Sequence, residues 1–191
     1  MNRRTTIKGI LALSFVGGSS FSLYRWISLH NAFNEKTLLS SGDLIADLAE
    51  TIIPSSDTPG AKEASVHKYI INVITHCTAK VEQNKFLKGL ESVKTYSNEN
   101  FGKSFSNCNE TQKNKILSYF EKNDTYDTPI FNKINTKLFG KSFFTQLKEL
   151  TVDGYCLSQL GATKGLAYDY IPGNYKPCIA LKKNQKSWAT K

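Results

Sequence analysis

Three histidines, four cysteines and a scatter of carboxylates are the side chains of this 191-residue sequence from which chemistry could be built. His67 and His76 fall on opposite sides of any helix that carries both, and His30 lies in a polar stretch far upstream. No two of them share a helix face at the four-residue spacing that grips a metal. Among Cys77, Cys108, Cys156 and Cys178 no pair is two to four residues apart, and none has the spacing to a histidine that covalent haem requires. That argues against zinc, iron–sulfur and attached haem alike. Asp47 and Glu50 share a helix flank, where acids at this spacing are ordinarily solvated and need no catalytic role. Neither Gly17-Gly18 nor the glycines of 161–165 have the spacing of a dinucleotide fingerprint, and there is no phosphate loop. The expectation is therefore a chain with no catalytic residue, metal or cofactor of its own.

The elements that carry these residues read as helices. Leu44, Ile45, Leu48, Ala49 and Ile52 recur at one-, three- and four-residue steps, and Val66, Tyr69, Ile70, Val73, Ile74 and Cys77 repeat the pattern after a rigid elbow at 54–60. Pro54 disfavours helix at Ile53, while Thr58 and Pro59 read as the N-cap and first-turn proline of the second helix. Asp57 and Thr58 are expected to cap free amides there. Phe86, Leu87, Leu90 and Val93 make a third helix that should stop near Gly102. Ile116, Leu117 and Phe120 make a fourth, with Asn109 capping ahead of Gln112. Phe143, Leu147, Leu150 and Gly154 form the stripe of a last helix, whose apolar arc is wide enough to place it in the centre. From Gly161 the chain turns to Gly, Pro and Tyr and should run extended. The fold class is all-α, a single compact bundle of about five main helices with an extended C-terminal arm.

Residues 1–25 form a separate segment. Arg3, Arg4 and Lys8 precede a weakly apolar run at 9–23, broken by glycines and serines and too short for a comfortable span. This resembles a twin-arginine export signal. It predicts a periplasmic protein, with inner-membrane association if the signal is left uncleaved. Residues 26–41 read as a tether, 42–178 as the helical domain and 179–191 as a basic tail. The formal charge of +9 shrinks without the first segment, which leaves 21 basic against 16 acidic side chains. Those are spread singly, so nucleic acid is not the expected partner. In an exported chain four widely spaced cysteines are most simply two disulfides in one of three pairings, with a bridge to another subunit or a free buried thiol as alternatives.

The runs DLAETIIP at 47–54 and DTPGAKEA at 57–64 resemble the gluconate 2-dehydrogenase subunit 3 family, the small subunit of flavin-dependent dehydrogenases. FLKGL at 86–90, GKSF at 102–105, FFTQLKELTVDGY at 143–155, SQLG at 158–161 and IPGNYKPC at 171–178 continue the likeness in order, over roughly 42–190. Two positions depart from the pattern, Cys156 in place of an aromatic residue and Gln159 in place of an acid. The resemblance implies a non-catalytic small subunit that assists export, folding and stability of a large FAD-bearing subunit, with a cytochrome c subunit as a further partner. Membrane association would then come through the complex or the signal. It also favours Cys77–Cys178 as a bridge, since both lie in matching stretches. By residue type, the expected partner interface is the aromatic arm with Tyr168, Tyr170, Pro172, Gly173 and Tyr175. The elbow residues Pro54, Asp57, Thr58, Pro59 and Gly60 come second. A stand-alone periplasmic binding module is the alternative reading.

Overall fold

The computed structural model describes residues 32–124, 140–171, 173–174, 178–181 and 183–189. Among them the secondary structure is helical, and the order is α1 (Glu35–Ser40), α2 (Gly42–Ile52), α3 (Val66–Cys77), α4 (Lys80–Phe101), α5 (Glu110–Asp124) and α6 (Phe143–Leu157). A short 3-10 turn, Phe105–Asn107, separates α4 from α5, and a π turn, Gly161–Gly165, follows α6. The five long helices are those the apolar periodicity predicts. The stretch read as a tether is different, because it contains α1. Asn34 caps that helix by accepting from the Thr37 amide at 3.3 Å, and Leu38 is fully buried.

Helix α6 lies in the centre, packed on α3, α4, α5 and α2. Leu147 on it is fully buried, as are Ile45, Leu48, Ile70, Ile74, Phe86, Leu90, Val93, Phe105 and Ile116 from the surrounding elements. At roughly 1.5–3 kcal/mol for each such side chain, this core is the dominant stabilising term. The α4–α6 contact is close enough to require a missing side chain. A Cβ on Gly89 would sit 2.0 Å from Cγ of Phe143, whose ring packs against Phe86 with centroids 5.4 Å apart.

Helix ends are closed by side chains from neighbouring elements, which fixes the angles between them. Gln83 on α4 donates to the Ile74 and Thr75 carbonyls at 2.8 and 3.0 Å, satisfying the end of α3. Asn109 and Gln112 form the expected reciprocal box, with bonds of 2.8 and 3.1 Å. Asp124, at the end of α5, accepts from the Thr145 amide at 2.9 Å and the Ser142 hydroxyl at 2.5 Å, capping the start of α6.

Candidate functional site

The elbow between α2 and α3 is held by one carboxylate. Glu50, on the last turn of α2, accepts the Ser55 amide on Oε1 at 2.9 Å and the Lys62 amide on Oε2 at 2.8 Å. Both amides would otherwise be free donors in a turn, and a charged acceptor binds them more strongly than a neutral one. Gly60 must lack a side chain for this to happen, because a Cβ there would lie 2.4 Å from Glu50 Oε1. From the opposite side the Tyr155 hydroxyl of α6 donates to the Pro59 carbonyl at 2.7 Å in a buried bond. The elbow is thus clamped between α2 and α6.

This corrects the expected roles of Thr58, Pro59 and Asp57. Helix α3 begins at Val66, because Ser65 takes the left-handed conformation (φ 55°) and separates the 61–65 turn from the helix. Pro59 therefore precedes a turn instead of opening the helix. The Thr58 hydroxyl is 3.5 Å from Ser56 Oγ and caps no helix amide, and Asp57 accepts from the Ser56 hydroxyl at 3.0 Å. Pro59 and Gly60 are buried, whereas Pro54, Ser55, Ser56 and Asp57 form the outward face.

Beside that face an open cleft of about 530 Å³ runs between α2, the elbow and the start of α5. Asp47 and Lys62 pair across it at 2.8 Å, with Lys113 and Glu110 on the far wall. Burial pushes the Asp47 carboxyl up, but the hydrogen bond from Lys62, a second from Ser106 and the charges of Lys62 and Lys113 together hold it below the usual carboxylate range. Lys62 is correspondingly raised, by its hydrogen bond to and the charge of Asp47. The lining is mostly charged, with Asp47 and Lys62 paired and the Glu50 carboxylate engaged by two backbone amides. Among the described residues no group of three His, Cys, Asp or Glu is placed to hold a metal. His67 is half-buried on α3 and His76 is exposed near its end.

Among the described residues the arm after the π turn carries no helix. Tyr168 and Tyr170 are exposed, the latter by 85%, and Gly173 has open space around it. Pro172 and Tyr175 lie outside the described residues, as do Arg3, Arg4, Lys8 and His30.

The model of the family described as gluconate 2-dehydrogenase subunit 3 matches residues 40–173. This chain belongs to that family. The comparisons with curated proteins and with solved structures give no match. Several residues of the motifs that carry the family likeness are accounted for by the geometry above. Glu50 and Gly60 build the elbow, Gly89 admits the Phe143 ring, Phe105 of GKSF is a fully buried core residue, and Tyr155 ties α6 to Pro59. The two departures, Cys156 and Gln159, are both exposed.

The cysteines correct the disulfide expectation. All four are free thiols, and Cys77–Cys178 is not formed. Cys108 is buried with Sγ donating to the Ser104 carbonyl at 3.5 Å, while Cys77, Cys156 and Cys178 face solvent from α3, α6 and the arm. The residue that sequence reasoning missed is Glu50, read as a solvated flank acid. Its signal was the glycine ten residues on, which matters only once the chain has turned back.

Proposed function

We propose that this chain is the non-catalytic small subunit of a periplasmic flavin-dependent sugar or sugar-acid dehydrogenase. In this reading it carries the twin-arginine signal at Arg3, Arg4 and Lys8 and accompanies the FAD-bearing large subunit across the membrane, assisting its folding and stability. A cytochrome c subunit takes the electrons onward. Family membership over 40–173 is the observation that carries the proposal.

Two features of the fold support it. Helices clamped at their ends by Gln83, Asp124, Glu50 and Tyr155 make a preformed surface, which a companion exported in the folded state requires. Tyr168 and Tyr170 stand exposed within the matched region, and tyrosines are enriched in the cores of protein interfaces. Affinity purification of the tagged chain from its native periplasm tests the reading. A stoichiometric, flavin-coloured partner is expected. A colourless monomer would point instead to a stand-alone binding module.

A further inference from the structure

The chain keeps its structure past the end of the family match at 173. The Ala167 amide donates to the Ser187 carbonyl and the Ala189 amide donates back to Ala167, both at 2.8 Å, so Ala167 and Trp188 form a parallel bridge. The Lys186 ammonium donates to the Lys164 carbonyl. Residues 186–189 thereby tie the C-terminal strap to the exit of the π turn.

What the strap displays is apolar and basic together. Leu181 is 86% exposed, Trp188 52% and Ile179 51%. Lys183 and Lys186 are also exposed. From Ser158 to the end the sequence holds six lysines, one acid (Asp169) and no arginine. Apolar side chains held in water on a tied segment mark a surface that something covers. Three kinds of partner can be weighed. The buried core of a protein interface is depleted in lysine. Single-stranded nucleic acid is gripped by stacked aromatics and arginine, and offers nothing to Ile179 or Leu181. An anionic bilayer suits all of them, because tryptophan and branched side chains sit at headgroup depth while ammonium groups stay among the phosphates.

We propose that the strap around Ile179, Leu181 and Trp188, with Lys183 and Lys186, docks the protein on an anionic lipid surface. The chemistry is interfacial adsorption, and it leaves Tyr168 and Tyr170 for the subunit contact. It does not depend on the proposed subunit role, since it is read on the chain alone.

The full-length chain carrying Trp26→Phe has Trp188 as its sole tryptophan and reports on the strap directly. Its emission is expected to shift to the blue on phosphatidylglycerol vesicles, to stay unchanged on phosphatidylcholine vesicles, and to recover when salt screens the charges. In vesicle co-sedimentation, Lys183→Ala, which touches none of the strap's ties, should weaken binding about fivefold. Ile179→Glu with Leu181→Glu should weaken it by at least about tenfold, with the helical circular dichroism unchanged. The N-terminal segment is common to all these chains, so any difference between parent and variants comes from the strap. An emission that ignores anionic vesicles would overturn the proposal, as would equal sedimentation of parent and variants. An emission that shifts only when a protein partner is added would overturn it too, and would give the strap to a subunit contact.

Discussion

At the scale of single residues, Glu50 holds the elbow, because one carboxylate closes both sides of it. Replacing it with glutamine keeps the shape but removes the charge and presents an NH₂ to one of two donors. Glu50→Gln is expected to cost about 1.5–3 kcal/mol, the range for hydrogen bonds to a charged group, read from urea midpoints at neutral pH. Asp47 behaves differently because its partner Lys62 is exposed. Its carboxyl is held below the ordinary value, so the stability it contributes is complete above about pH 4, the unfolded value, and is lost as pH falls through the lower folded value. Screening keeps that contribution under about 1 kcal/mol. Denaturation midpoints of Asp47→Asn should therefore fall slightly below the parent's at pH 7 and converge with them in strong acid. A difference that persisted unchanged into acid would mean that Asp47 acts through packing.

At the scale of elements, the tie between α6 and the elbow separates two substitutions that the sequence alone would rank the other way. Tyr155→Phe leaves the buried Pro59 carbonyl without its donor and should cost about 1–3 kcal/mol. Thr58→Ala, the natural cap mutation on sequence grounds, should change thermal stability by less than about 0.5 kcal/mol, because the hydroxyl caps nothing. Calorimetry on the pair would test both, and a larger loss for Thr58→Ala would restore the helix-cap reading. The contrast shows what was legible. Periodicity found α2 to α6 because each buries one stripe, and the box at Asn109 and Gln112 was readable because it is local. Helix α1 was missed because Leu38 is a lone buried residue in a polar frame. The elbow chemistry was missed because Glu50 acts on amides five and twelve residues away, and Tyr155 on a carbonyl 96 residues back. The disulfides were inferred from the number of cysteines and an export signal, neither of which says that three of the thiols point outward from separate elements.

At the scale of the molecule, the proposed export role makes two demands that can be separated. The first is an address. Replacing Arg3 and Arg4 with lysine keeps the charge and should still stop export of both subunits, because a receptor reads the guanidinium pair. Fractionation showing the flavoprotein in the periplasm at normal level would sink the carrier role.

The second demand is a scaffold that forms before the partner arrives. Glu50→Gln and Tyr155→Phe both loosen the elbow, so in the proposed non-catalytic role they should act on how much complex assembles. If folding free energy falls by about 2 kcal/mol, the unfolded fraction rises about thirtyfold, and in a cell that removes chain before it can pair. Complexes that do assemble contain the same clamped surface, and in the proposed role the flavin they carry sits in the other subunit. The expected result is fewer assembled complexes, each turning over at the parental rate per bound flavin. The two quantities are read on one sample, flavin absorbance for the amount and dye reduction for the rate. A fall in rate per flavin with assembly intact would mean that the elbow, with its outward face of Pro54 to Asp57, reaches the partner's active site.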